Sequence, residues 1–173
     1  RMTSPATASG GCVAGAPRIE FRRVSVEFPS PSGLVRVVDD VTYSIQDREF
    51  VSVIGPSGCG KTTMMNIVAG FVSPSSGTVL LDGAPIVGPG PDRGVMFQEY
   101  GVFPWLTVHQ NIAFGLRLAA NRVDAVEREE TVRRYMGLMG LTDFADAWPK
   151  TLSGGMRQRL ALARVYAVRP QFL

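Results

Sequence analysis

The chain has 173 residues, 45% of them hydrophobic, with a formal net charge of +3. A chain of this length can bury one sizeable core, which excludes a wholly disordered protein and predicts one compact domain with at most a small subdomain. The basic residues are scattered along the sequence, which disfavours nucleic-acid binding, and no apolar run approaches the ~20 residues of a membrane-spanning helix.

The first 17 residues differ in composition from the rest. They are rich in Ala, Gly, Ser and Thr and lack the apolar core of a secretory signal, so we expect a flexible leader. The two cysteines, Cys12 and Cys59, are expected to be free thiols in a reducing cytoplasm.

The next segments have the alternation of β-strands. Residues 19–28 alternate as a strand does, residues 29–33 supply turn chemistry, and residues 34–45 resume the extended pattern. The pattern predicts an antiparallel hairpin. A further apolar strand is predicted at residues 78–81, closed by an Asp-Gly turn at residues 82–83.

Residues 55–62, GPSGCGKT, fit the pattern G-x-x-x-x-G-K-[ST]. In such a loop glycines let backbone N–H groups surround a phosphate, Lys61 reaches the β/γ oxygens, and the Thr62 hydroxyl can ligate Mg²⁺. A buried strand is predicted at residues 49–54 and a helix at residues 62–69, so the phosphate would lie at a helix N-terminus. The candidate nucleotide-binding residues here are Gly55, Pro56, Ser57, Gly58, Cys59, Gly60, Lys61, Thr62 and Thr63.

The second half of the chain reads mainly as helix. Strand and helix alternate along the chain, which predicts an α/β core, and residues 107–149 lack strands, which predicts a helical subdomain. The elements expected in order are a short strand at 94–97 ending at Gln98, helices at 107–119 with a Thr cap, 124–139 and 156–168, and the opening of a strand at 171–173.

Three features occur in a diagnostic order: the phosphate loop, Gln98 at 37 residues beyond Lys61, and LSGGM at residues 152–156. This order and spacing resembles the nucleotide-binding subunit of ABC transporters over about residues 19–173. Within that family, PDRGVMFQEYGVFPWLTVHQNIAFGL at residues 91–116 is similar to the importer ATPases of the nitrate/sulfonate/taurine type.

The resemblance implies an α/β fold: the P-loop NTPase core of ABC ATPases, with an antiparallel β subdomain and an inserted α-helical subdomain. The implied division is a leader at 1–17, the β subdomain and P-loop core at 18–98, the helical subdomain with the glutamine loop at 99–152, and the signature helix with the start of an incomplete core strand at 153–173.

The same resemblance assigns roles in the nucleotide site. Phe28 would stack on adenine, flanked by Val37 and Val38, although an aromatic in a strand can equally be an ordinary core residue. Gln98 would sense the γ-phosphate and share the metal with Thr62, and together with Lys61 it would be catalytic. The alternative for Gln98 is a polar strand terminus.

The second motif would act on a neighbouring copy. In the family Ser153, Gly154 and Gly155 close over the γ-phosphate of ATP held by a second copy, using the hydroxyl, backbone amides and the helix N-terminus. Met156 stands where the commonest form has Gln. Taken alone, LSGG could be a mere helix cap.

Two other surfaces follow from the helical region. Residues 103–105 and 107–115 resemble the surface on which a transmembrane subunit docks, within the region 99–115; the alternative is that Phe103 and Trp105 pack the subdomain. Residues 127–134 offer opposite charges at i,i+3 and i,i+4 and are expected to be a solvated helix face. His109, the single histidine, is expected to be a surface residue and not the switch histidine of the family.

The function implied is the ATP-binding and ATP-hydrolysing subunit of a bacterial ABC importer for a small anion such as nitrate, sulfonate or taurine, using ATP and Mg²⁺. It would be peripheral, on the cytoplasmic face of the inner membrane. Its partners would be a second copy or a paired ABC subunit through LSGGM, transmembrane permease subunits, and indirectly a solute-binding protein, with no nucleic acid.

The family places a metal-binding Asp, a catalytic Glu and the switch His beyond the position of Leu173. The chain is therefore expected to be an N-terminal part, competent at most for phosphate binding. Two alternatives remain open at this point: a soluble ABC-type ATPase acting on nucleic acid or ribosomes, and a non-catalytic truncated product.

Overall fold

The computed structural model describes residues 17–97, 101–118 and 123–173. The chain divides into two compact units, Arg1–Gly90 and Pro91–Leu173. The four-part division expected from sequence stays a prediction.

The first unit contains an antiparallel sheet and one helix. Its strands are β1 (Ile19–Ser30), β2 (Gly33–Ile45), β3 (Ser76–Leu81) and β4 (Ala84–Pro85), and the helix is α1 (Lys61–Ala69). The spatial order is β2-β1-β3-β4, and each neighbouring pair is antiparallel. The predicted hairpin is confirmed, because Ser30 pairs with Gly33 across the turn and Ile19 pairs with Ile45 at the far end. The turn at residues 82–83 is confirmed between β3 and β4.

The pairing of β1 is interrupted where β3 comes close to it. Its register shifts between Phe21 and Val24 against β2 and between Arg22 and Ser25 against β3. Gly77 faces this irregularity with φ +78°, and a Cβ there would lie 2.2 Å from the carbonyl oxygen of Arg23. Only glycine fits both this backbone conformation and this approach. The irregularity therefore depends on a residue without a side chain.

The second unit is helical. It contains α2 (Val108–Leu116), α3 (Ala125–Leu138) and α4 (Gly154–Ala167), with short 3₁₀ turns at Thr142–Phe144 and Pro149–Thr151. Thr107 caps α2 in a capping box with Gln110, and Asp124 caps α3. In the described residues between 107 and 149 no strand occurs, as expected. One apolar cluster forms the core of this unit: Val108, Ile112, Ala113, Leu116, Val132, Met136, Leu141, Leu152, Leu160, Ala163 and Ala167.

Two predicted strands are wrong as paired elements. Residues 49–54 have no strand partner, and Phe50 and Ile54 are 94% and 86% exposed instead of buried. Residues 94–97 form no strand either; only an isolated parallel bridge joins Arg93 to Phe172, with the Gly94 N–H donating to the Phe172 carbonyl. Residues 171–173 form no strand, although the N–H groups of Gln171 and Phe172 also donate to the Asp92 carbonyl, at 2.8 and 3.0 Å. An apolar run becomes a strand only where a neighbour satisfies its backbone groups, and parallel neighbours lie far away in sequence.

Candidate nucleotide-binding segments

The phosphate loop ends at an uncapped helix. Gly60 occupies the N-cap position of α1 with φ +95°, and no side chain caps the helix. The N–H groups of the first turn of a helix lack intrahelical partners, so they remain available to an anion. Thr62 is exposed in that first turn. The helix therefore presents backbone donors and a hydroxyl at one end.

Lys61 closes the loop on itself. Its Nζ donates to the carbonyl oxygen of Gly55 at 2.8 Å and to that of Pro56 at 2.7 Å, and lies 3.7 Å from Sγ of Cys59. An ammonium has three N–H donors, and two are used by the carbonyls, so exchange of the weak contact with Cys59 Sγ would free the third for a phosphate oxygen. The positive charge is thus kept at the loop before any ligand binds.

The loop is also packed against β2. A Cβ on Gly60 would lie 3.0 Å from the carbonyl oxygen of Val37 and 3.5 Å from Cγ2 of Val38. Gly58 is left-handed as well, with φ +80°, but a Cβ there would meet nothing within 4 Å. The close approach of Gly60 puts Val37 and Val38 beside the phosphate loop. Their expected contact with adenine stays a prediction.

These residues fit a nucleotide phosphate and a hard cation. Left-handed glycines, free helix N–H groups and an ammonium suit a phosphate, while the Thr62 hydroxyl is an oxygen ligand of the kind that Mg²⁺ takes. Within the residues that the structure describes, no group of three or more His, Cys, Asp and Glu side chains could hold a metal. The second predicted metal ligand, Gln98, lies outside the described residues.

Phe28 lies near the end of β1, opposite Val35 on β2. Its side chain is 38% exposed, so it is not a buried core residue and the ordinary core alternative is wrong. Part of the side chain is therefore accessible from solvent. Stacking on adenine stays a prediction.

The segment LSGGM begins α4. Ser153 is the N-cap, and its Oγ accepts a hydrogen bond from the Met156 N–H at 3.3 Å. Ser153 therefore does act as a helix cap, as the alternative predicted. The cap uses its hydroxyl only as an acceptor, so the O–H can still donate a hydrogen bond. Gly155 is exposed, and a Cβ there would meet nothing within 4 Å. The Met156 side chain packs against the core of the helical unit, which explains why an apolar residue is accepted there.

The buried side of this segment is fixed independently of any ligand. Leu152 is buried in the core cluster, and its carbonyl accepts from Nη1 of Arg157 at 2.6 Å. Ser153 and the two glycines follow directly and face outward or are half-buried. The core thus holds the small, polar end of α4 in place.

Three aromatic side chains form what we call the aromatic face: Phe103, Trp105 and Phe114. The rings of Phe103 and Trp105 stack with centroids 5.4 Å apart, and Phe103 meets Phe114 edge-on at 4.5 Å. Trp105 is 66% exposed, whereas Phe103 is half-buried. Phe103 therefore packs within the helical unit, as the alternative predicted, whereas Trp105 is presented to solvent. Docking of a transmembrane subunit on this surface stays a prediction.

Asn111 was missed by sequence reasoning. Its side chain is fully buried; Oδ1 accepts from the Phe103 N–H at 2.8 Å, and Nδ2 donates to the carbonyls of Phe103, Leu106 and Thr107 at 2.8–3.0 Å. These bonds fix the backbone of residues 103–107. An available signal was an amide between two core positions of an amphipathic helix, Val108 and Ile112.

Sequence predicts that His109 is a surface residue, but the structure shows it partly buried and hydrogen-bonded. It is half-buried, and its Nε2 lies 2.9 Å from Oε2 of Glu129, which joins α2 to α3. This hydrogen bond is the main reason that the pKa of Glu129 lies below its usual value; the neighbouring Arg133 guanidinium adds to the shift. The i,i+4 pair Glu129–Arg133 confirms the prediction of opposite charges along the face of α3.

A search of residues 17–97, 101–118 and 123–173 for a membrane span finds no helix with the required length and hydropathy.

Comparison with known proteins gives concordant matches. The profile of the ABC transporter family matches residues 38–173. The nitrate import ATP-binding protein NrtD of Synechococcus elongatus is 44% identical over 155 residues, which are 90% of this chain and 57% of that protein. The bicarbonate transport ATP-binding protein CmpD of the same organism is 41% identical over 157 residues, 91% of this chain and 56% of CmpD.

A solved structure agrees with these matches. The ATP-binding cassette MJ0796, in a dimeric post-hydrolysis state bound to ADP and Pi, is 30% identical with a TM-score of 0.75, covering 88% of this chain and 70% of that one. This chain spans a little over half the length of the curated relatives that it matches. The α/β cassette fold expected from sequence is confirmed by this likeness, although two of its core strands are not formed as pairs.

Proposed function

We propose, from the premise that this chain belongs to the ABC transporter family, that it supplies ATP-binding segments of an importer's ATP-hydrolysing subunit. The observation that carries the proposal is the phosphate loop: an uncapped helix N-terminus, left-handed glycines and the Lys61 ammonium converge at residues 55–63. The assignment is supported by the names of NrtD, CmpD and MJ0796, each of which is described as ATP-binding.

In this proposal the backbone of the loop and the Lys61 ammonium bind the β- and γ-phosphates of ATP. The residues from Gly55 to Thr63 supply N–H donors, and the positive end of the α1 dipole favours the anion. Mg²⁺, when bound through Thr62 and Gln98, would neutralise charge that develops on the phosphates. Phe28 would stack on the adenine, and Gln98 would report the γ-phosphate.

The segment LSGGM at residues 152–156, here called the signature segment, would complete a nucleotide site on another copy. Ser153 keeps an O–H to donate, and the half-buried Gly154 and exposed Gly155 leave the N-terminus of α4 open. The dimeric state of MJ0796 bound to ADP and Pi supports pairing of two copies in general. The use of the signature segment as the contact is part of the proposal. Because each γ-phosphate would contact both copies, ATP would favour the closed pair and hydrolysis would remove that preference.

The transported solute would be a small anion. Nitrate and bicarbonate are the solutes in the names of NrtD and CmpD, and these names also disfavour the alternative of an ATPase acting on nucleic acid or ribosomes. Sulfonate or taurine stays within the same proposal. The subunit would work peripherally at the cytoplasmic face of the inner membrane, where transmembrane permease subunits dock on the aromatic face and a solute-binding protein acts through them.

A lysine comparison tests the ATP site. The chain has two lysines, Lys61 in the loop and the exposed Lys150 in the helical unit. Binding of a fluorescent ATP analogue with Mg²⁺ should weaken by about 10- to 100-fold in Lys61→Ala, as for loss of hydrogen bonds from a charged group. Lys150→Ala should bind like the unsubstituted chain. Equal binding by Lys61→Ala and the unsubstituted chain would refute the assignment.

A further inference from the structure

Arg164 connects the signature helix to the aromatic face. It lies on α4, three turns beyond Ser153. Its guanidinium carbon is 4.2 Å from the centroid of the Phe103 ring, and Nη1 donates a hydrogen bond to the carbonyl oxygen of Gly101. A planar cation over a ring face is a favourable arrangement, and arginine makes it better than lysine does. One side chain thus contacts both the ring and the backbone that precedes it.

Phe103 is held from a second side. Asn111 on α2 binds both its backbone N–H and its carbonyl, at 2.8 and 3.0 Å. The Phe103 ring in turn stacks on Trp105. Phe103 therefore lies between two helices and the exposed indole. A displacement of the ring would therefore change its contact with the exposed Trp105, and also its edge contact with Phe114.

The surroundings of Arg164 argue against a purely incidental contact. Burial lowers the pKa of its guanidinium, and no carboxylate pairs with it among the ion pairs of the described residues. Removing a cation from water without an acidic partner is unfavourable. The Gly101 carbonyl and the Phe103 ring are the groups that compensate. A long apolar side chain could pack on Phe103 without this cost.

We infer that Arg164 is a positioning residue. It holds the ring of Phe103, and the Phe103 ring in turn fixes the orientation of Trp105 on the aromatic face. The position of helix α4 thereby determines the orientation of Trp105. The signature segment at one end of α4 and the docking surface at the other are joined by this contact. The roles of these two ends rest on the proposed function, whereas the contact itself can be tested without nucleotide or partner.

The test uses Trp105 as its own reporter. The chain has two tryptophans, so Trp148→Phe leaves Trp105 as the single indole. In that background, Arg164→Met should raise the acrylamide quenching constant of Trp105 by about 1.5-fold, because the Phe103 ring no longer shields one indole face steadily. Arg164→Lys keeps the charge but not the planar stack, and it should give an intermediate value.

The control is Arg159→Met on the same helix. Arg159 also donates to a backbone carbonyl, that of Met139, but it does not contact the aromatic face. It should leave Trp105 quenching unchanged. An equal rise in the two methionine variants would overturn the inference, because it would reflect a general loosening of α4.

A double-mutant cycle decides whether Arg164 acts through Phe103. Phe103→Leu alone should raise the quenching constant, and adding Arg164→Met should raise it no further. Additive effects would overturn the inference. Circular dichroism of each variant establishes folding; if Arg164→Met fails to fold, the Arg164→Lys cycle takes its place. Analogue binding is measured in parallel, so a chain that binds no ATP refutes the proposed function while the quenching cycle still decides the role of Arg164.

Discussion

The starts of α1 and α4 are two glycine-rich helix N-termini held in opposite ways. At α1 the N-cap is the left-handed Gly60 without a side chain, and the loop before it is closed by Lys61, one of the groups expected to bind phosphate. At α4 the N-cap is Ser153, and the segment before it is anchored by the buried Leu152. The N-terminus of α1 is thus stabilised by Lys61, a residue proposed to bind phosphate, whereas the N-terminus of α4 is stabilised by the buried Leu152.

This difference predicts where substitutions separate stability from binding. In the proposed function the same atoms of the phosphate loop would hold the loop and bind the ligand, so binding and local order should change together. At the signature segment the anchor is buried, whereas the groups proposed to face the ligand are exposed or half-buried, so the two properties should be separable.

The largest effect on stability is expected from Leu152→Ala. Removing a buried leucine side chain lowers the free energy of unfolding by about 2–5 kcal/mol. Urea unfolding followed by tryptophan fluorescence measures it, since both tryptophans lie in the helical unit. Leu138→Ala is the control in the same unit, and it should change little because Leu138 is 66% exposed. Binding of the ATP analogue by the still-folded protein should be unaffected, and a parallel loss of binding would contradict the separation.

The next effect is expected from Gly60→Ala. The left-handed backbone costs a residue with a Cβ about 1–2 kcal/mol, and the new Cβ would also press on the Val37 carbonyl at 3.0 Å. We expect faster hydrogen exchange in α1 together with weaker binding of the ATP analogue. Gly58→Ala is the matched control, because it has the same strain with open space around it. If Gly58→Ala speeds hydrogen exchange in α1 and weakens analogue binding as much as Gly60→Ala does, the packing of Gly60 against β2 does not stabilise the loop.

A smaller effect is expected from Ser153→Ala. Loss of an N-cap side chain costs about 1 kcal/mol, and Ser153→Asp, which can also accept the Met156 N–H, should recover the stability. Aspartate cannot donate a hydrogen bond to a phosphate when ionised. Ser153→Asp should therefore keep its stability, measured by urea unfolding, but lose nucleotide-dependent dimerisation, measured by light scattering. Recovery of both by aspartate would show that only the cap matters.

The smallest effect concerns pH. The pKa of Glu129 is lowered in the folded chain, chiefly by the hydrogen bond with His109. A carboxyl with a depressed pKa contributes stability above its unfolded pKa, near 4.5, and loses that contribution as the pH falls through its folded value. Glu129→Gln should therefore flatten the decline of stability below about pH 4.5. Glu130→Gln, at an exposed position of the same helix, should keep the decline; identical profiles for the two variants would contradict this reading.

The features predicted correctly from sequence are those encoded locally. Thr107 caps its helix as expected, and the β1–β2 hairpin carries its own turn and its own partner strand. The strands expected at 49–54 and 94–97 failed because a parallel strand depends on neighbours that the local pattern does not name.

The candidate site divides in the same way. Motif spacing predicted which residues form the phosphate loop and the signature segment, because backbone chemistry restricts the residue types that fit there. It did not identify Asn111 and Arg164, whose roles arise from contacts with a loop 8 and 63 residues away. The bend of Lys61 onto the carbonyls of Gly55 and Pro56 is likewise a property of the folded loop and not of the pattern.

The four hydrogen bonds of Asn111 have a thermodynamic consequence for recognition. Ordering a flexible backbone costs about 1–2 kcal/mol per residue, and a loop that becomes ordered only on contact would subtract that sum from its affinity. Here folding of the helical unit has already ordered both ends of residues 103–107, since backbone groups of Phe103, Leu106 and Thr107 bind the fully buried Asn111 amide. A binding partner therefore meets a preorganised surface, and the entropy of association is lost mainly in the partner and in the exposed Trp105 ring.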